Sequence, residues 1–190
     1  MTSFKFKKAV QALNFFASKE GGKINYMKAG KLVYLADKAH LRIYGRTITN
    51  DSYFAMKNGP VPSGTKDIIL KSKWQGQDIV EYSDIFLSSP KGYDINSLKD
   101  FDPAVFSKTD LNLMDEIYQN FGQLREFELS DYTHTFPEWL RFKNDLAKDS
   151  SRAFQINWDD LFELNIKDIP FKQSEELLNL SKDQFQGIVK

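Results

Sequence analysis

The sequence predicts a mainly helical α+β fold, a helical bundle carrying a small antiparallel sheet. Three observations lead there. Apolar residues recur at helical spacing in several separate windows. Between those windows lie short runs of Tyr, Phe, Ile and Val, bounded by Gly, Pro, Asn and Ser, which read as strands and turns. The 190 residues, 41% hydrophobic and with 16 Phe and 8 Tyr, supply a core for one domain with an appendage.

Taken in order, Phe6, Ala9, Val10, Leu13, Phe16 and Ala17 form the first helical stripe, with Ser3 as its expected N-cap and Gly21-Gly22 as its stop. Asn25 is placed to cap a central helix. Leu32, Leu35, Ala36, Ala39 and Ile43 make its buried face, Lys31, Tyr34, Lys38 and Arg42 its expected exposed face, and Gly45 its end. Tyr53 to Lys57 reads as a strand, and Asn58-Gly59-Pro60-Val61-Pro62 as the turn that reverses it. A short helix follows through Ile68, Ile69 and Leu70. Ile79–Tyr82, Ile85–Leu87 and Tyr93–Ile95 read as further short strands joining Tyr53–Lys57 in one antiparallel sheet, and Asp100–Pro103 as a linker. Ser107 caps the next helix, whose stripe is Leu111, Met114, Ile117, Tyr118 and Phe121, ended by Gly122. Further helices are expected over Glu126–His134 and from Pro137 through Trp139, Leu140 and Phe142. The expected division is a domain over 1–149 and an extension over 150–190 with short helical pieces at Trp158–Leu164 and Ser174–Leu180.

Composition excludes several classes. Cys is absent, so there is no disulfide framework and no thiolate chemistry. No run approaches the ~20 apolar residues that cross a bilayer, and the N-terminal stretch has no uninterrupted apolar core, so a soluble cytoplasmic protein is expected. The net charge is zero, but residues 1–73 hold 14 of the 26 Lys+Arg and 4 of the 26 Asp+Glu, so they are basic and the remainder acidic. The two parts either neutralise each other on packing or present a basic face to an acidic partner. Helix, Gly-Gly turn and helix also allow a helix-turn-helix, but the face with Lys31, Tyr34, Lys38 and Arg42 lacks the Asn, Gln and Ser that help to read base edges. No specific nucleic acid is expected.

Asp37 and His40 stand three apart on one helix, so their side chains can meet. With His134 they could form a catalytic or metal-binding cluster, which gives the alternative reading of a hydrolase or nucleic-acid-processing enzyme. The competing reading is a hydrogen-bonded network that locks the central helix to later helices. No phosphate-cradling loop or nucleophile elbow occurs, and no cofactor or metal is expected. Tyr34, Tyr44 and Tyr53 suit interface aromatics as well as core tyrosines with bonded hydroxyls.

Two motifs carry a resemblance. K-L-x-Y-L-A-D from Lys31, followed by His40, Y-G-R-x-I and Y-x-A-M-K-x-G-P-V-P-S, resembles the Panacea domain family, which includes the SocA-like antitoxins and phage-associated proteins. L-S-D-Y-T-H with P-E-W, Leu129 to Trp139, is similar to the second signature of that family. The likeness spans about Phe6 to Phe142. It implies a non-enzymatic antitoxin that neutralises a cognate toxin by direct binding, in one relative as an adaptor to a protease, with a homodimer allowed. Signature or partner-binding residues implied here are Tyr34, Asp37, His40, Tyr53, Met56, Gly59, Pro60, Val61, Ser130, His134 and Trp139. The unmatched acidic extension is expected either to lie over Lys5, Lys7 and Lys8 and tune partner binding, or to pack permanently as a last helix.

Overall fold

The computed structural model describes residues 3–163 and 173–189. Its helices are α1 (Phe6–Lys19), α2 (Tyr26–Tyr44), α3 (Ser63–Leu70), α4 (Gln77–Phe86), α5 (Lys108–Phe121), α6 (Glu126–Thr133), α7 (Pro137–Leu140), α8 (Lys143–Lys148) and α9 (Glu175–Val189). Its strands are β1 (Lys23–Asn25), β2 (Tyr53–Met56), β3 (Gly59–Pro62), β4 (Asp94–Asn96) and β5 (Phe154–Gln155). The class is α+β and mainly helical, as the periodicity predicts.

Helix α2 is the axis of the molecule. The Asn25 side chain accepts hydrogen bonds from Met27 N (2.9 Å) and Lys28 N (3.2 Å), which serves two orphan donors of the first turn. Gly45 ends the helix at φ 60°, and a Cβ there would lie 2.6 Å from Ser181 O, so a left-handed residue without a side chain is required. Leu32, Leu35, Ala39 and Leu41 are buried, and α1, α5, α6, α9 and β3 surround the helix. The face expected to be exposed is buried too. Lys31, Tyr34, Lys38 and Arg42 are at most 3% exposed, because later segments supply partners for each. That burial removes the helix-turn-helix alternative, which needs an open second helix.

The strands form two sheets, not one. β1 pairs antiparallel with β4, with Ile24 opposite Ile95. The second sheet has the order β3-β2-β5. The chain reverses at Lys57-Asn58, and Gly59–Pro62 runs back as a strand, with Pro60 opposite Ala55. An edge strand tolerates Pro60 and Pro62 because its outer side needs no N–H donor. The strands expected at Ile79–Tyr82 and Ile85–Leu87 are instead the single helix α4, save Leu87, which lies just past its end in an extended bridge to Ser97. Ile79, Tyr82, Ser83 and Phe86 recur at helical spacing, and the Tyr82 ring meets Phe6 edge-on at 5.9 Å on α1. That packing outweighs the strand preference of Ile and Val.

Ser3 does not cap α1. Lys5 occupies that position, and its N–H donates to Thr49 O (2.8 Å). Ser107 does cap α5, in a full capping box with Asp110. The extension is packed: Leu178 and Phe185 of α9 are buried, the Trp158 ring lies 5.0 Å from Phe185, and Arg42 donates to Leu161 O (2.8 Å) and Glu163 O (3.0 Å). Its acids Asp160 and Glu163 pair with Arg141 and Asp159 with Lys182, and Lys8 pairs with Asp110, so the acidic cover expected over Lys5, Lys7 and Lys8 is not found among the described residues. Leu164, Lys167, Asp168, Ile169, Phe171 and Lys172 of the extension lie outside the described residues.

Candidate functional site

Local chemistry sends Asp37 and His40 to different partners. The Asp37 carboxylate faces the loop after α2. It accepts from Ile48 N (2.8 Å), Thr49 N (2.9 Å), the Tyr53 hydroxyl (2.8 Å) and the Thr49 hydroxyl. Burial pushes its pKa up to about 6, against the pull of those hydrogen bonds. His40 faces α5. Its Nδ1 lies 2.8 Å from Arg46 O and its Nε2 3.0 Å from the Asp110 carboxylate. Both ring nitrogens are therefore engaged in a fully buried side chain, which leaves neither to bind a metal or take a proton from a substrate.

Asp110 gathers Lys8, His40, Arg46 and Ser107 N around one carboxylate. Burial alone would raise its pKa, but the hydrogen bonds from His40, Lys8 and Ser107 hold it far below the usual carboxylate range.

His134 joins neither centre. Its ring stacks on Trp139 at 3.8 Å, and burial followed by the neighbouring charge of Lys31 lowers its pKa. The convergence of Asp37, His40 and His134 is thus replaced by three separate sites. Among the described residues, no group of three His, Cys, Asp or Glu is placed to hold a metal ion.

The two signatures do pack together, through other atoms. Lys38 of α2 lies 3.0 Å from Glu138 of α7, and the Tyr34 hydroxyl donates to the same carboxylate oxygen. Lys38 also sits 3.6 Å from the centroid of the Phe136 ring. Trp139 Nε1 donates to Met56 O (2.8 Å) and Ser130 Oγ to Asn58 O (2.7 Å), so α6 and α7 hold both sides of the β2–β3 hairpin. The Tyr53 ring stands edge-on to Tyr34 at 5.6 Å and to Trp158 at 5.4 Å, which places it in the core.

A second consequence of the hairpin is a pocket of about 390 Å³ between α2, β2–β3, α3 and residues 150–152. Met56, Pro60 and Val61 are walls, and Lys31 lies within the lining. Gly59 has φ 104°, and a Cβ there would come within 2.5 Å of Lys31 Nζ and 2.6 Å of Thr133 Oγ1. Glycine therefore lets the hairpin close over the lysine. Lys31 Nζ donates to Thr133 Oγ1 (3.2 Å), and burial lowers its pKa to about 7. Sequence reasoning placed Lys31 on an open face and missed it. The available signal was its position at the head of the first signature, where its neighbour on the helix, Leu32, is core.

These features define a mainly helical α+β domain whose signature residues tie a hairpin to a central helix and shape a cationic pocket. A family model described as antitoxin SocA-like, Panacea domain, matches residues 30–140, and the chain belongs to that family. The match begins inside α2 and ends with α7, so α1, α8 and α9 lie outside it. No curated protein matches the chain, and no solved structure does.

Proposed function

We propose that this protein is the antitoxin of a toxin–antitoxin pair and neutralises its toxin by direct, non-catalytic binding in the cytoplasm. The family match over residues 30–140 carries this reading. The chemistry of the signatures supports it, since Asp37, His40, Glu138 and Trp139 are engaged in internal hydrogen bonds that build a scaffold. Among the described residues, no helix is long and apolar enough to cross a membrane.

The mechanism is occlusion. A stable complex buries about 1,600 Å² in total, and a toxin loses activity when that area covers its working residues. Lys8, Lys38 and Arg141 are paired with the chain's own carboxylates, and cations committed in this way are not available to a phosphate backbone, which favours a protein partner over sequence-specific nucleic acid. The test is co-expression with each gene adjacent to this one. Rescue of growth by stoichiometric complex formation is expected. Rescue at far below one antitoxin per toxin would establish turnover and overturn the binding mechanism.

A further inference from the structure

We propose that the pocket beside the β2–β3 hairpin receives an apolar segment of the partner protein bearing one carboxylate, which pairs with Lys31. The proposal rests on the antitoxin reading and assigns it a contact point.

Charge and shape both argue for this occupant. Lys31, Lys57, Lys66 and Arg152 are all in the lining, and among the described residues no Asp or Glu is. Lys31 is 3% exposed, its hydrogen bond goes to the neutral hydroxyl of Thr133, and among the described residues no carboxylate pairs with it. An ammonium group so placed is costly until an anion reaches it, and a buried ion pair with an incoming carboxylate relieves that cost. Burial has already lowered its pKa to about 7, so carboxylate binding would also restore its charge.

The rest of the lining suits a peptide. Met27, Met56, Pro60, Val61 and Ile69 offer thioether and aliphatic surface on which apolar side chains pack. A nucleic acid would need aromatic platforms in series and a row of phosphate contacts, but among the described residues Tyr26 is the one aromatic in the lining. The walls have two origins. Pro60 and Val61 belong to the family signature, whereas Ser150, Ser151 and Arg152 lie beyond the matched segment. A family floor combined with a chain-specific wall is a means of fitting one partner and rejecting others.

The test uses a phage-displayed library of random dodecapeptides, selected on the full chain and counter-selected on Lys31→Met. Enrichment of Asp or Glu flanked by Leu, Ile, Met or Phe is expected. A synthetic winner should lose roughly tenfold or more in affinity when its acid becomes the amide, and similarly on Lys31→Met. Lys57→Glu/Lys66→Glu alters only the half-buried and exposed rim and should also weaken it, which keeps the test independent of any effect of Lys31→Met on folding. A library that yields nothing, winners without acids, or winners that bind both variants as well as wild type would overturn the proposal. So would Lys31-dependent binding of a single-stranded oligonucleotide in place of peptides. If toxin rescue survives Lys31→Met at full strength, the pocket assignment falls while the antitoxin reading stands.

Discussion

Substituting Glu138 by Gln tests how the two signatures are held together. The Lys38 ammonium and the Glu138 carboxylate are 3.0 Å apart, and both side chains are at most 1% exposed. The second oxygen, Oε2, has no donor among the described residues, so the charge of Glu138 is answered through Oε1 alone. Gln keeps the shape and an acceptor for the Tyr34 hydroxyl but removes the negative charge 3.0 Å from the buried Lys38 ammonium. Breaking a buried ion pair from one side costs roughly 3–5 kcal/mol. For a chain of this length each kcal/mol shifts Tm by about 2–4 °C, so a fall of roughly 6–20 °C is expected. Adding Lys38→Met removes the buried ammonium as well and keeps apolar packing on Phe136. The double variant should return to within about 1–2 kcal/mol of wild type, with a strongly favourable coupling in the cycle. Urea unfolding of the four proteins measures this directly. A loss below about 0.5 kcal/mol for Glu138→Gln, or two additive single losses, would refute a tie between the signatures through this pair.

Other outcomes follow from the same structure. Lys31 has a folded pKa near 7 and an ordinary value of 10.5, so between those limits the unfolded chain binds more protons and stability rises with pH. Lys31→Met should abolish that rise, and its urea midpoint should exceed that of wild type most at pH 7 and least near pH 10. Asp110 gives a slope of the same sign at lower pH, because its pKa too is depressed on folding, but there it is the charged form that the fold stabilises. Its contribution is complete above the ordinary carboxylate range and is lost as pH falls toward the folded value, so Asp110→Asn should destabilise at pH 7 and progressively less below pH 4, read by thermal melts. Truncation after Ser150 removes Trp158, Phe162, Leu178 and Phe185 and, with them, the Leu161 and Glu163 carbonyls that accept from Arg42. Loss of cooperative unfolding is expected, and a shortened chain with an unchanged melt would show that the extension is an accessory.

The parts of this fold legible in the sequence are those where one residue carries a local signal. Asn25, Gly45 and the Ser107 capping box sit where their chemistry places them, and the stripes of α1 and α5 face the core. The missed parts depend on distant segments. Lys31, Lys38 and Arg42 look like solvent residues until Thr133, Glu138 and the Leu161 carbonyl arrive to serve them. β1 has three residues after a Gly-Gly turn, the last of them the helix cap Asn25, too few for alternation to register. Asp37 and His40 have the spacing of a pair on a helix, but each rotates toward a stronger partner, the 48–53 loop and Asp110. Helical spacing states that two side chains can meet, and competition for hydrogen bonds decides whether they do.

The central claim is stoichiometric neutralisation by a non-catalytic scaffold. The most direct measurement titrates the purified protein against its co-encoded toxin and follows toxin activity and complex mass together. Activity should fall linearly to zero at a fixed ratio near one chain per toxin, with the toxin recovered intact and active after denaturing separation. Loss of toxin activity at a small fraction of that ratio, or recovery of a covalently altered toxin, would contradict the account.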